Sequence, residues 1–376
     1  MKINFVLPFY SVRPIGGLKV AYEYANELSA RGHEVTVIHP RSINNVSRAN
    51  GGLRRLQQAA LDARNLFAPR AGLKWQPLDE RVRVLIVREP TAAYIPDADV
   101  VFATAWQTSE YVREYPARKG TKFYLVMDFE PWIASGPVLQ RTWKSPLLKV
   151  TISSWLYDKV IAAGCSASEV ENIPIGVNFD QFPLKTDIRA RRPSLLMMYS
   201  SSPSKGSEIG LSAVSEVRKS HRDLQVVFFG PTMRRRPSEL PPWAQYFGNV
   251  TNQHLDQLYN SSTIYVCSSW AEGFALPPAE AMACGCAVAA TDCGGTREFI
   301  VHGVNALSST PGDAAGLARN INQLLDDDSL RISLAEAGQK SIQSFTWAAA
   351  ADKLERLITS QAAGAAERKV MRAVRA

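Results

Sequence analysis

The chain has 376 residues, of which 46% are hydrophobic and 21% charged, and a formal net charge of +8. Single hydrophobic cores stop growing near ~250 to 300 residues, so two domains are the first expectation, and the apolar and charged fractions are those of globular chains rather than disordered or membrane-spanning ones. No apolar run reaches the ~18 to 20 residues that cross a bilayer. Met1 to Tyr10, interrupted by Asn4 and Pro8 and followed by no small-residue cleavage site, reads as a first core strand and not as a secretory leader.

Short β-rich apolar runs then alternate with helical patterns. In chain order they are Ile3 to Leu7, a helix from about Leu18 to Arg31, Val35 to Ile38, Val82 to Val87, Val100 to Ala103, Phe123 to Met127 and Val150 to Ile152. Strands this continuously apolar are buried on both faces, which predicts a parallel sheet covered by helices. From about Leu195 the rhythm restarts with Leu195 to Tyr199, a helix near Glu208 to Ser220, Leu224 to Phe229, Thr263 to Cys267, a helix from Pro277 to Ala283, and Ala287 to Ala290. Between the two series Phe182 to Ser194 is polar and proline-bounded, as an interdomain linker would be. The predicted fold is α/β with two doubly wound parallel-sheet domains, residues 1–185 and 186–345. Such domains, facing each other across a central cleft, bring the carboxyl ends of both sheets and several helix N-termini to it, which favours an anionic ligand such as a diphosphate.

The basic excess belongs to the first half, where residues 1–185 hold 23 Lys and Arg against 17 Asp and Glu. Residues 41–83 alone hold nine basic and three acidic residues, interleaved with leucines. A helix resting on anionic lipid headgroups and a solvated helix packing its leucines on its own domain both fit that pattern. Nucleic acid is not an expected partner, because the excess is modest and no helix-turn-helix, zinc or RNA-recognition signature accompanies it. The five cysteines are an odd set without paired zinc spacing, expected to be reduced and buried in a cytoplasmic protein.

The densest stretch is Ser268 to Gly295. A strand ends at Cys267, a loop holds Glu272 and Gly273, and prolines 277 and 278 suit a first helical turn that leads to Glu280. Glycine lets backbone approach a ligand closely, so the N–H groups of Gly273, Phe274 and Ala275 can face a donor while two carboxylates grip hydroxyls on either side.

Here the sequence resembles the retaining glycosyltransferases of family 4, which have the GT-B fold of two Rossmann-like halves. The resemblance is carried by Glu272 and Glu280 in E-G-F-A-L-P-P-A-E-A-M-A-C-G-C-A-V, and extends to Gly16-Gly17, to Ile173 to Phe182, to Thr296 to Ala306 and to Phe345-Thr346-Trp347, which begins a last helix. It implies that a nucleoside-diphosphate sugar is the donor, a substrate and not a cofactor, with UDP, GDP and dTDP as the candidate nucleotides. Glu272 would touch the sugar's hydroxyls and Glu280 the ribose. Gly16, Gly17, Gly273, Phe274, Ala275 and Leu276 would offer backbone to the donor, and the last helix, about 346–376, would cross back to complete the first domain. Two departures stand out. Lys205-Gly206 is present, but Tyr199 to Ser204 lacks the family's arginine, so Lys205, with serine hydroxyls and a helix N-terminus, must neutralise the leaving diphosphate; Arg234, Arg235 and Arg236 are the other cations in reach, a solvated loop being the plainer reading of those three. In the first half F-Y-L-V-M-D-F-E-P-W has Met127 before Asp128 where many relatives have histidine, and resembles the D-F-E-P motif of members acting on cell-surface polysaccharides, rhamnosyltransferases included.

Asp128 and Glu130 would then line the acceptor side, although an aspartate at a strand end is equally a turn or helix cap. Thr104, Trp106 and Gln107 are acceptor candidates by position alone. The resemblance implies retention of anomeric configuration, a glycan or lipid-linked glycan acceptor, a place at the inner face of a bacterial membrane, and catalysis by charge stabilisation and positioning by Glu272, Lys205 and Asp128. No metal is expected: no D-x-D is assigned to a divalent ion, and the acidic run Asp326-Asp327-Asp328 sits at a helix end. A nucleotide-sugar epimerase or a noncatalytic sugar-nucleotide binder of the same fold are the competing readings. A dinucleotide oxidoreductase is disfavoured, since no G-x-G-x-x-G follows the first strand.

Overall fold

The structure is a computed structural model and describes residues 1–43, 70, 73, 75–129, 136–230, 236–248 and 250–375, with residues 136 and 365–375 as backbone only. Most of the basic segment 41–83, Glu130, Arg234 and Arg235 lie outside the described residues. The chain divides into two compact units, one made of Met1–Ile152, Leu156–Ile173 and Trp347–Ala376, the other of Ser153–Trp155 and Pro174–Thr346.

The first unit is built on a seven-stranded parallel sheet of β1 (Lys2–Val6), β2 (Glu34–Pro40), β3 (Arg83–Val87), β4 (Val100–Ala103), β5 (Thr121–Val126), β6 (Leu148–Thr151) and β7 (Val170–Asn172), in the order β3-β2-β1-β4-β5-β6-β7. Parallel neighbours need crossovers, and α1 (Gly16–Ala30) and α2 (Trp106–Val112) supply two of them. The strand interiors are apolar on both faces, as a helix-covered sheet requires: Ile3, Phe5 and Val6 are fully buried, and the rings of Phe5, Phe102 and Phe123 stack across β1, β4 and β5.

The last helix, α10 (Trp347–Arg375), packs within this unit. Trp347 meets Tyr24 of α1 edge to face at 5.4 Å. The Arg31 guanidinium donates to Asp352, to Glu355 at 3.3 Å and to the Ala348 carbonyl at 3.0 Å. A helix with the alanine-rich composition of residues 348–351 needs such partners, since propensity alone is a weak source of stability.

The second unit repeats the plan with six parallel strands, β8 (Ser194–Met198), β9 (Gln225–Gly230), β10 (Gln245–Gly248), β11 (Ile264–Cys267), β12 (Ala287–Thr291) and β13 (Leu307–Ser309), in the order β10-β9-β8-β11-β12-β13. Its core joins Leu195, Met197, Val226, Phe228, Ile264 and Val266 of the sheet to Val214 and Val217 of α5 (Ser207–Ser220) and to Leu317 and Ile321 of α8 (Ala314–Asp326). Earlier in the chain lie α3 (Gly136–Trp143) and α4 (Ser154–Ala162); α6 (Asn252–Ser261) and α7 (Leu276–Ala283) fall between α5 and α8, and α9 (Asp328–Ile342) follows α8.

The expected linker, residues 182–194, lies within the second unit, whose main segment runs from Pro174 to Thr346. Three side chains hold it there: Phe182 is buried against Tyr259, Lys185 pairs with Asp256, and the buried Arg191 guanidinium donates to the carbonyls of Tyr259, Ser262, Thr186 and Cys284. All five cysteines are buried and free.

One buried group makes the first unit sensitive to acid. His39, at the end of β2, is fully buried between Tyr10 and Tyr22, and its Nδ1 lies 2.9 Å from the Phe9 carbonyl. A carbonyl only accepts, so Nδ1 carries the proton and Nε2, 3.4 Å from the Tyr22 hydroxyl, is the acceptor of a neutral ring. Burial lowers its pKa from 6.5 to about 4. Because the folded value is the lower one, the associated stability is complete above pH 6.5 and is lost as pH falls towards 4, by roughly 3 kcal/mol in all. Guanidinium unfolding at pH 7.5 and 4.5 is expected to show a smaller acid loss for His39→Gln than for the parent; equal losses would contradict it.

Candidate active site

In a sheet wound in both directions, the loops leaving the two strands at the reversal diverge and open a crevice at the strands' carboxyl ends. In the second sheet those strands are β8 and β11. The loop after β8 carries Lys205 and the loop after β11 carries Glu272, 67 residues apart in sequence.

Each loop is held by its own polar groups. After β8 the Ser207 hydroxyl donates to the Ser200 carbonyl and accepts from the Ser200 N–H, while the hydroxyls of Ser202 and Ser204 pair at 3.0 Å. These serines, expected to help hold a phosphate, therefore spend hydrogen bonds on shaping the loop. A 3₁₀ turn over Pro203–Lys205 ends at Gly206, which is left-handed at φ +53°; a Cβ there would stand 2.2 Å from the Ser268 carbonyl, so only glycine lets this turn lie against the end of β11. Ser268 Oγ donates to the Lys205 carbonyl and the Trp270 N–H to the Ser204 carbonyl, tying the two loops together. The half-exposed Trp270 ring lies beside Gly206 and Gly312.

The Glu272 backbone is gripped on both sides, its N–H donating to the Cys293 carbonyl at 2.9 Å and its carbonyl accepting from Gly295 at 3.0 Å. Lys205 Nζ donates to Glu272 Oε1 at 2.7 Å and Oε2 at 2.8 Å, and the Ser269 hydroxyl donates to Oε1 at 2.7 Å. With Met198, Cys267, Ser268 and Pro277 the pair lines one small pocket. The two groups assigned to the diphosphate and to the sugar of the donor thus meet in one ion pair. Ser269 and Trp270 were not among the expected site residues; the only sequence signal was their closeness to Glu272.

Gly273, Phe274 and Ala275 lead into α7, which starts one residue earlier than expected, at Leu276. Ala275 is itself left-handed at φ +72°, a conformation that costs a non-glycine residue about 1 to 2 kcal/mol and turns the backbone sharply into the helix. Pro277 and Pro278 have no N–H to offer an anion. Phe274 is buried against Phe299 and Phe345, so it anchors the loop by its ring and offers a ligand only its backbone. Glu280, expected at the ribose, is buried and accepts from the Tyr259 hydroxyl at 3.3 Å. Arg236, a candidate for the missing arginine, donates to the carbonyls of Ala244 at 2.6 Å and Leu240 at 2.8 Å and so braces its own loop.

In the first unit the reversal lies between β1 and β4, and the expected residues gather round it. Gly16 and Gly17 open α1 as helical residues and do not form a loop, because the N-cap falls at Ile15. A Cβ on Gly17 would touch Met127 Cε at 3.5 Å, which places the start of α1 beside the D-F-E-P stretch. Asp128 is exposed and its Oδ1 accepts from the Phe129 N–H at 2.8 Å. Thr104 is buried with its hydroxyl on the Val6 carbonyl at 3.1 Å, so the side chain closes the β1–β4 junction. Trp106 and Gln107 begin α2; among the described residues Trp106 Nε1 and Gln107 Oε1 are buried without a hydrogen-bond partner.

Among the described residues no group of three or more His, Cys, Asp or Glu side chains is placed to hold a metal ion, and no helix is long and apolar enough to cross a membrane. Contrary to the expectation that the chain has no D-x-D for a divalent ion, Asp97-Ala98-Asp99 has that spelling. Lys119 and Arg118 pair with Asp97 and hold its carboxyl below the usual range, and Asp99 accepts from the Lys2 N–H at the amino end of the sheet, away from the reversal crevice.

Residues 178–341 match the family of glycosyl transferases group 1. Over 284 residues the chain is 24% identical to the O-antigen biosynthesis protein RfbC of Myxococcus xanthus, covering 72% of this chain and 22% of that one. It is 23% identical to the phosphatidyl-myo-inositol mannosyltransferase of Mycobacterium leprae, over 95% of this chain and 96% of the relative. Several other curated relatives, like RfbC, are matched over only about a fifth to two fifths of their own length. The crystal structure of Anabaena HepE in complex with UDP-glucose superposes with a TM-score of 0.73 at 17% identity, covering 96% of this chain and all of that one. With its two parallel sheets of like strand order, the chain has the GT-B fold, and the unit that holds Lys205 and Glu272 is the one that matches the group 1 glycosyl transferases.

Proposed function

We propose that the chain is a retaining glycosyltransferase of family 4 that moves a hexosyl or deoxyhexosyl group from a nucleoside-diphosphate sugar to a glycan or lipid-linked glycan, in the synthesis of a cell-surface polysaccharide. The observation that carries it is the meeting of Lys205 and Glu272 at the reversal of the second sheet, inside the segment matched to group 1 glycosyl transferases. An ammonium suits the diphosphate and a carboxylate the sugar hydroxyls, and the crevice where they meet is where such sheets take nucleotides. Two relatives, an O-antigen biosynthesis protein and a phosphatidyl-myo-inositol mannosyltransferase, support a surface glycan and a lipid-linked acceptor. HepE bound to UDP-glucose supports a nucleotide-sugar donor.

In this reading the bond between the anomeric carbon and the phosphate oxygen breaks as the acceptor hydroxyl oxygen bonds to the same face of the sugar and its proton passes to the departing diphosphate. Lys205 stabilises the charge that gathers on the departing diphosphate, Glu272 fixes the sugar, and the backbone of Gly273, Phe274, Ala275 and Leu276 lines the donor, with Glu280 at the ribose. Gly16 and Gly17 are the donor-binding candidates of the first unit. Asp128, Glu130, Thr104, Trp106 and Gln107 mark the acceptor side, where the first unit's reversal stands, and the basic stretch 41–83 holds the protein at an anionic membrane surface.

A thermal-shift screen of UDP, GDP and dTDP sugars identifies the donor, because a ligand bound only by the native protein raises its melting temperature. Transfer to lipid-linked glycan, with product of retained anomeric configuration, is then expected to proceed in the presence of EDTA. Interconversion of the donor sugar with no acceptor present, or a strict need for manganese, would overturn the proposal or its metal-independent chemistry respectively.

A further inference from the structure

Resting on that donor assignment, we infer that the Lys205–Glu272 pair makes the site select an intact sugar nucleotide over the free nucleoside diphosphate, because Lys205 turns to a phosphate at full strength only when sugar hydroxyls replace it on Glu272. The pair is asymmetric. The Glu272 backbone is fixed at its N–H by Cys293 and at its carbonyl by Gly295, and its Oε1 is further held by the Ser269 hydroxyl. Lys205 reaches it on a flexible four-carbon stem, and its side chain is the more exposed of the two, 28% against 13%. The lysine is the partner that moves.

A phosphate oxygen bonded to this ammonium comes close to the Glu272 carboxylate, and the two negative groups repel while one cation serves both. A sugar nucleotide brings several neutral hydroxyl donors that take over the two carboxylate oxygens, so the cation passes to the phosphate without stranding Glu272. A bare diphosphate has no sugar hydroxyls to offer and must compete with the internal carboxylate for Lys205. After transfer the sugar is gone, Glu272 recovers the ammonium, and the spent nucleotide is displaced, which would keep product inhibition weak.

Calorimetric titration of UDP against UDP-glucose and of GDP against GDP-mannose tests this in the parent and in Glu272→Gln, a variant whose side-chain oxygen can still accept from Ser269. The parent is expected to bind the matching conjugate more tightly than its bare diphosphate. In Glu272→Gln the bare diphosphate is expected to bind about three- to tenfold more tightly than to the parent, and the conjugate more weakly, so that the preference collapses. An unchanged or weaker diphosphate affinity in the variant refutes the exchange and leaves the donor assignment standing. The comparison in the parent needs no variant to fold, and equal affinities there refute the inference too. A parent that binds none of these four nucleotides, nor dTDP or dTDP-glucose, refutes the donor assignment and this inference with it.

Discussion

Lys205→Ala is expected to lower the rate of glycosyl transfer by about a hundred- to a thousandfold, the loss that follows removal of one preorganised donor from a site where charge develops. When the glycosidic bond to phosphate breaks, the diphosphate gains negative charge, and among the described residues lining the pocket Lys205 is the sole cation. Arg236 cannot stand in for it, because its guanidinium is already committed to the carbonyls of Ala244 and Leu240. The serine hydroxyls give limited help, since that of Ser207 binds the Ser200 backbone, that of Ser200 accepts from the Ser202 N–H at 3.2 Å, and those of Ser202 and Ser204 pair with each other.

The fold should survive this change. The Lys205–Glu272 pair is reached by solvent, with side chains 28% and 13% exposed, so breaking it costs about 1 kcal/mol or less and Glu272 keeps Ser269 as a partner. Steady-state rates across donor concentrations separate the effects. A charge that acts mainly at the transition state shows as a loss in kcat larger than the rise in KM, and Lys205→Arg, with the charge on a larger planar group, should recover part of kcat. Activity within a few fold of the parent in Lys205→Ala would remove the lysine from the chemistry.

That pair also marks the limit of what the sequence discloses. The strands of both sheets were legible wherever they run through the core, because Phe5, Phe102, Val226 and Val266 belong to apolar runs that only a two-sided burial explains. The edges were not. β7, β10 and β13 are three or four residues long and lie at or beside the rims, and in β10 none of Gln245–Gly248 is buried, so no hydrophobic periodicity announces it. Lys205 and Glu272 could each be singled out from their neighbours in the chain, but their direct contact depends on β8 and β11 being adjacent, a property of strand order that sequence spacing does not carry. The tie from Arg191 to four carbonyls was equally hidden, since an arginine in a polar stretch looks solvated until its burial is seen.

Gly295→Ala is expected to lower stability by about 2 to 4 kcal/mol and to abolish measurable donor binding. The backbone of Gly295 lies against that of the Glu272 loop, so an added Cβ would stand 2.5 Å from Phe274 N and 2.6 Å from both Gly273 C and Phe274 Cα. None of these atoms ends a flexible side chain, and the clash is relieved only by moving main chain. The Gly295 N–H donates to the Glu272 carbonyl at 3.0 Å, so the strand–loop contact that sets the carboxylate's position would open. The loop cannot shift freely the other way, because Phe274 is buried against Phe299 and Phe345 and its movement would undo that cluster. The penalty therefore combines strain with lost packing, and it falls on the residue that holds Lys205. Guanidinium unfolding reads the first part and calorimetric titration with the sugar nucleotide the second. A variant with parental stability would mean that the 293–295 turn yields without cost, and one that keeps parental affinity would show that the place of Glu272 is set elsewhere than by its contact with Gly295.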